Sequence, residues 1–386
     1  MKRRTSTPSE AASPAPALRT PLYDRHRALG GRLVDFGGWE MPQQYSSIRD
    51  EHRAVRTVAG LFDISHMGRF RVRGESAFAF LQGLLTNDLS RIGPGQAQYT
   101  LMCDERGGIL DDLVVYWGEE GFMAVVNASN RERDLDWMRE HAPAGVEVED
   151  RTFELALIAL QGPKAEALLP AEGLETIPYF GFRLAEVAGL RVIAARTGYT
   201  GEDGFELFVG SENVGGLWDA ILEAGSAEGV PACGLGARDA CRLEAALRLY
   251  GNDMDESTNP YEAGLGWTVR LKKGDFVGSQ ALARVKQAGP ARELVGLRSL
   301  DRSIPRHGSR VQAQGRELGH VTSGTYSFWL NQGLGLASVE AGAAPVGSRL
   351  EVESRGQQGK AEVVPLPFYR GSVHSPAAGA KAERPH

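Results

Sequence analysis

Near residue 290 the hydrophobic rhythm of this chain changes, and that change limits the possible folds more than any other feature of its 386 residues. Before it, short helical patterns alternate with pairs of strand-like runs. After it, ELVGLRSL, SRVQAQGRELGHVTSGTYS, QGLGLASV and SRLEVESRGQQGKAEVVPL alternate apolar and polar residues between glycine-rich turns. A period of two marks half-buried strands, so the second part reads as a small β-barrel or sandwich and the first as α+β. The boundary is placed between Arg284 and Ala291, with KQAGPAR as the linker.

Three helices are well signalled in the first part. In SNRERDLDWMREHA, Ser129 followed by Glu132 predicts a capping box, and Leu135 and Met138 begin an apolar stripe. In ESAFAFLQGLL, Phe78, Leu81 and Leu85 recur at helical spacing. The third, ARDACRLEAALRLYG, is expected to end at Gly251 in the usual C-terminal position.

With 42% hydrophobic residues, 24% charged residues and a formal net charge of −6, the composition is that of a soluble globular protein of two or three domains. No apolar run approaches the roughly eighteen residues needed to cross a membrane. The acidic balance argues against nucleic acid as the main partner, because phosphate binding needs a basic face. Cys103, Cys233 and Cys241 form no C-x-x-C pair, and the histidines lack metal-ligand spacing, so no structural metal and a reduced, cytoplasmic compartment are expected. The first residues are basic and rich in Ser, Pro and Ala. Their prolines break any amphipathic transit helix, so residues 1–18 read as a disordered extension and 375–386 as a disordered tail.

Three segments could carry chemistry. QAQYTLMCDERGGILDDLVVYW reads as a β-hairpin turning near Arg106, with Tyr99 across from Leu113 or Asp112. Side chains alternate along a strand, so Asp112, Val114 and Tyr116 share one face and Asp111, Leu113 and Val115 the other. Two adjacent aspartates are therefore not expected in one pocket, and a solvated acidic turn is the plain alternative. In RTGYTGEDGFELFV, glycine turns bracket Tyr199 and precede a strand carrying Glu206. That side chain faces either water or a cavity, where a carboxylate could accept two parallel N–H bonds from a guanidine-like edge. GLGARDACRLEA begins a helix with Arg238, and the acidic run NDMDE after it lacks the residue order of a calcium loop.

Taken together and in order, TPLYDRHRALGGRLVDFGGWEMPQQY, GLFDISHMG, LLTNDL, GGILDDLVVY, LQGP, RTGYTGEDGFEL, GARDACRLEA and LYGNDMDE resemble the T protein of the glycine cleavage system, a tetrahydrofolate-dependent aminomethyltransferase. The resemblance runs from about Arg19 to Val373. It implies two interleaved ferredoxin-like α+β subdomains over residues 19–284 and a C-terminal antiparallel β-barrel over 285–374, arranged as a three-lobed disc around the folate. It also implies transfer of the methylene carbon of an aminomethyl group from the lipoylated H protein to tetrahydrofolate, with release of ammonia and no metal.

Carried over residue by residue, the resemblance makes Asp112 the catalytic aspartate and Glu206 the pterin anchor. Tyr99, Tyr116, Asn127, Tyr199, Arg238 and Trp267 line the folate site, Met67 touches the pterin side, and Arg306 approaches from the third lobe. Departures from the pattern fall at Phe180, at Phe328 in TSGTYSFWL, and at His374 and Ser375. Two rivals share this fold, namely a folate-dependent N-, O- or S-demethylase and a non-enzymatic folate-binding iron–sulfur maturation factor. The latter group carries a cysteine where this chain has Gly198. Arg25, Arg27 and Arg32, three arginines within eight residues, are a candidate docking patch for the H protein.

Overall fold

The computed structural model describes residues 16–354 and 356–373. The expected tail, His374 and Ser375, and most of the expected N-terminal extension lie outside the described residues. Leu18 does not belong to a disordered extension: its N–H donates to the Gly38 carbonyl at 2.8 Å and its carbonyl accepts from Glu40 at 2.8 Å.

Two α+β lobes form the first part, one inserted in the other. The outer lobe is a six-stranded sheet in the order Phe182–Val187, Leu190–Ala195, Gly204–Gly210, Leu155–Gln161, Gly60–Asp63, Ala232–Cys233. Between its strands Gly60–Asp63 and Leu155–Gln161 the chain leaves to build the inner lobe. That lobe is a five-stranded sheet in the order Gln96–Cys103, Ile109–Gly118, Gly121–Val126, Gly68–Arg73, Glu147–Asp150. Each sheet buries one face under its own helices. The outer sheet covers Ile158, Leu160, Phe205 and Leu207 with Leu217, Trp218 and Ile221 of the helix Val214–Ala224. The inner sheet covers Phe70, Leu113 and Val115 with Leu81, Leu84, Leu135 and Met138. Fully burying each of these large side chains stabilises the fold by about 1.5–3 kcal/mol.

The remaining faces of the two sheets meet in a third core, where Tyr116 and Val125 of one pack on Phe62, Leu157, Ala159, Ala195 and Phe208 of the other. At the edge of this core Tyr99 and Asp112 of the inner sheet and Glu206 of the outer sheet keep partial exposure, which marks a cleft between the two lobes. The third lobe is a closed six-stranded barrel in the order Arg292–Ser299, Gln332–Glu340, Arg316–Ser327, Arg310–Ala313, Arg349–Ser354, Gln357–Val364. Its Val295, Leu297, Val311, Val321, Val339, Val352 and Val363 fill the interior, as the period-two pattern requires. The expected boundary after residue 284 falls inside the helix Ser279–Ala288, whose Leu282 packs against Cys103 and Ile109, so the lobe changes at residues 289–291.

Two helix signals are corrected. Ser129 and Glu132 form no capping box: a short 3-10 turn, Ala128–Asn130, precedes the helix Arg131–His141, and the residue at its start, Asn130, turns its amide to Asp111 at 2.7 Å instead. The helix Leu235–Glu244 stops well before Gly251. Ala246 takes the left-handed conformation there (φ 55°), with Ala246 N–H bonded to Leu243 and Leu247 N–H to Arg242. That is the Schellman pattern with alanine where glycine is usual.

This helix is the seam between the lobes. Arg56 reaches Glu244 at 2.7 Å and Glu202 at 2.8 Å, His52 reaches Glu244 at 3.0 Å, and Arg242 reaches Asp253 at 2.7 Å. From the barrel, Ser323 Oγ lies 2.9 Å from Arg242 and Thr322 donates to Asp253 at 2.6 Å. Within the acidic run, Asp253 therefore serves this joint. The chain then returns from the barrel to lay the Tyr369 ring 4.3 Å from the Arg56 guanidinium.

Candidate active site

The hairpin Gln96–Cys103/Ile109–Gly118 closes through Asp104, whose Oδ1 accepts from the N–H groups of Arg106 at 2.9 Å and Gly108 at 2.8 Å. Gly107 adopts φ +85°, and a side chain on Gly108 would meet the Glu256 carbonyl at 2.1 Å, so both glycines are structurally required. A register shift between Met102 and Cys103 leaves Leu110 unpaired, so Tyr99 lies across from Val114 rather than Leu113 or Asp112. Its hydroxyl still reaches diagonally to Asp112 Oδ2, at 3.0 Å.

The alternation of faces is as expected. Leu113 and Val115 point into the inner core with Asp111 fully buried beside them, while Tyr116 points between the lobes and Asp112 is half-buried in the cleft. The two aspartates are nonetheless joined. Asn127, at the end of the strand Gly121–Val126, donates its amide to Asp111 Oδ1 at 2.8 Å and to Asp112 Oδ1 at 2.7 Å, and its backbone N–H goes to Asp111 Oδ2 at 2.9 Å. Burial, reinforced by the Asp111 charge, pushes the Asp112 carboxyl up to about 7, against the opposing hydrogen bonds from Tyr99 and Asn127.

Glu206 shares the inter-lobe face of its strand with Phe208 and is half-buried there. It lies in Gly204–Gly210, paired between Ala159 and Ala195, and its Oε2 accepts from Thr197 Oγ1 at 2.6 Å and Tyr116 Oη at 3.1 Å. Tyr116 therefore links the two carboxylates, sharing a strand face with Asp112 and a hydrogen bond with Glu206. Half-buried Met67 packs against the same inter-lobe core. The Tyr99 ring stacks on Trp267, with centroids 5.8 Å apart and planes at 25°, and 45% of Trp267 stays exposed.

The Arg238 guanidinium lies 4.6 Å over the Tyr199 ring, close enough to Glu206 to feel its charge, and has no hydrogen-bond partner among the described residues. Tyr199 is fixed through its hydroxyl, which donates to the Arg248 carbonyl. The site thus gathers nine of the ten residues predicted from sequence. Arg306 is exposed on the barrel loop before Arg310–Ala313, and its side chain makes no hydrogen bond or ion pair among the described residues, with the other nine or elsewhere.

Four contributors were not read from sequence. Thr197, Asn130 and the clamp role of Asp111 depend on contacts across long chain separations and have no local signal. His66 sits in the quoted GLFDISHMG run; it is buried, and burial with the charge of Arg238 pushes its imidazole down to about 3, so it is neutral. Of the three arginines offered as a docking patch, Arg25 is engaged in an ion pair, with Nε 3.0 Å and Nη2 2.9 Å from Asp219. Arg27 and Arg32 are exposed.

Chemically, the cleft offers a carboxyl that changes protonation near neutrality, a second carboxylate oriented by two hydroxyls, an exposed aromatic wall and an arginine without an acid partner. No helix among the described residues is long and apolar enough to cross a membrane.

Comparison with known proteins finds matches to both parts of the chain. Residues 22–273 match the profile described as the GCVT N-terminal domain, and residues 292–370 match the glycine cleavage T-protein C-terminal barrel domain. An aminomethyltransferase of Geobacillus thermodenitrificans is 51% identical over 91% of this chain and 98% of its own length. One from Bacillus subtilis is 46% identical over 91% and 99%. A crystal structure of the glycine cleavage system aminomethyltransferase T from Bartonella henselae superposes with a TM-score of 0.86 at 33% identity, covering 93% of this chain and 99% of that one.

Proposed function

Because this chain belongs to the glycine cleavage T-protein family and is an aminomethyltransferase, we propose that tetrahydrofolate is its one-carbon acceptor and the lipoylated H protein its donor. The observation that carries this reading is the pairing in one cleft of Asp112, whose carboxyl sits near 7, with Glu206, oriented by Tyr116 and Thr197. Asp112 would be the catalytic residue and the other nine the folate-binding set, with Arg306 reaching the folate only from the barrel side.

The chain's residues fit a folate. Both described hydrogen bonds to Glu206 fall on Oε2, which leaves Oε1 to accept from the guanidine-like edge of a pterin. Tyr99 and Trp267 offer an aromatic stacking face, and Arg238 offers a cation for an anionic group. When bound, tetrahydrofolate supplies the nitrogen nucleophile that takes the methylene carbon as ammonia leaves. Asp112 stabilises the positive charge that develops on that carbon, held in place by Tyr99 on one oxygen and Asn127 on the other. Its protonation equilibrium near neutrality also suits it to hold or pass a proton. No redox chemistry is required, since the carbon arrives at the formaldehyde level. The buried free thiols of Cys103, Cys233 and Cys241 suit the reduced cytoplasm.

A maturation factor is disfavoured at Gly198. A Cβ there would lie 1.9 Å from Gln161 Oε1, and the Gln161 amide is tied to Thr197 at 3.1 Å and Thr200 at 2.9 Å. A demethylase shares the fold, so the donor decides. The test supplies tetrahydrofolate with aminomethylated H protein, dimethylglycine or a methoxyaromatic compound in parallel. Equal amounts of methylenetetrahydrofolate and ammonia from H protein alone are expected; product from either small donor, and none from H protein, would refute the reading.

A further inference from the structure

Behind Asp111 lies a carboxyl group that the reaction scheme leaves without a role. Asp134 is on the first turn of the helix Arg131–His141, whose Leu135 and Met138 cover the strand face that carries Asp111, Leu113 and Val115. Its side chain has no solvent exposure, and neither oxygen has a hydrogen-bond donor among the described residues. The Arg133 Nε is 3.7 Å from Asp134 Oδ1, but that guanidinium is directed away, to the Leu110 carbonyl, Glu256 and Tyr250. What Asp134 faces instead is acid: the Asp111 carboxyl directly, and Asp112 beyond it.

Two buried carboxyls in contact with no cation between them cannot both be charged. They satisfy each other when one holds a proton and gives it to the other. The surroundings decide which one holds it. Asp111 accepts three N–H bonds, from Asn127 N at 2.9 Å, Asn127 Nδ2 at 2.8 Å and Asn130 Nδ2 at 2.7 Å, so its oxygens are already committed as acceptors. Asp134 accepts none, and burial with the adjacent Asp111 charge pushes its carboxyl up to about 11.

We propose that Asp134 is a positioning residue: its O–H donates to Asp111, which keeps Asp111 a charged acceptor that locks the Asn127 amide, and that amide in turn sets the Asp112 carboxylate. A chain of Asp134, Asp111, Asn127, Asp112 and Tyr99 thus runs from the buried helix face to the cleft. The catalytic consequence rests on Asp112 being the reacting carboxyl; the proton on Asp134 does not.

Two measurements on the full chain separate these points. Infrared spectra of the wild type at pH 8 should contain the C=O band of a neutral buried carboxylic acid, and Asp134→Asn should abolish it. Asn is neutral and keeps an N–H donor, so transfer by Asp134→Asn should stay within about threefold of wild type. Asp134→Ala removes the donor and should lower kcat about tenfold with the KM for tetrahydrofolate unchanged. The band requires no folate, so its presence tests the proton even if the acceptor has been misassigned. Absence of the band, its persistence in Asp134→Asn, or equal loss of kcat in Asp134→Asn and Asp134→Ala would overturn the proposal. Should Asp134→Ala fail to fold, the band and the activity of Asp134→Asn decide.

Discussion

Replacing Glu206 by glutamine changes one atom in a position whose contacts are known, so its cost in folate affinity can be worked out. Thr197 and Tyr116 both donate to Oε2, at 2.6 and 3.1 Å. In the glutamine variant those hydroxyls retain the amide oxygen, and the NH2 group turns to the cleft. There, in the proposed folate complex, it would meet a pterin edge made of N–H donors. The variant loses a charge-assisted acceptor and gains a donor facing donors, a change worth roughly 2–5 kcal/mol in desolvated sites. Glu206 is only half-buried, so the lower part of that range applies, about 2–3 kcal/mol, or a roughly 30- to 150-fold rise in Kd. Calorimetric titration of purified Glu206→Gln with tetrahydrofolate measures it directly, and the melting temperature should stay near wild type. A Kd within threefold of wild type, in a folded variant, would refute the anchoring role of Glu206.

Two other outcomes follow from the same geometry. If transfer needs ionised Asp112, its rate should rise with pH through about 7; Tyr99→Phe removes a hydrogen bond that favours the carboxylate, so the rising limb should move to higher pH, and a limb that stays put or moves down would contradict the assignment. Arg56→Met leaves Glu202 and Glu244 buried without the guanidinium that binds both and should cost about 3–5 kcal/mol by urea unfolding, whereas a loss under about 1 kcal/mol would mean the seam does not depend on Arg56.

The barrel and the strand faces of the site were legible in sequence because both depend on a period of two. Val114 and Tyr116 face the cleft and Leu113 and Val115 the core for the same local reason. What failed was one residue of register, because the shift at Met102 and Cys103 is set by the Asp104 turn rather than by hydrophobic pattern. The capping box failed because Asn130 is claimed by Asp111, 19 residues away. Gly251 misled because the helix ends on a left-handed alanine, held by the Arg242 and Glu244 contacts that join three lobes. The pairing of Asp111 with Asp134 was invisible for a related reason. Each aspartate looks like a surface residue in its own segment, and only the packing of the helix on the sheet buries them together.

In the proposed reaction the Asp112 carboxylate acts on the transferred carbon rather than merely binding folate. Single-turnover formation of methylenetetrahydrofolate from aminomethylated H protein by Asp112→Asn, with the tetrahydrofolate Kd measured on the same sample, tests it most directly. The expected result is a rate lowered by about 10²–10³, as when a preorganised electrostatic group is removed, with Kd within about threefold of wild type. Asp111→Asn, which keeps one oxygen for Asn127, should fall between this variant and wild type. A near wild-type rate in Asp112→Asn, or a loss explained entirely by weaker folate binding, would contradict the account.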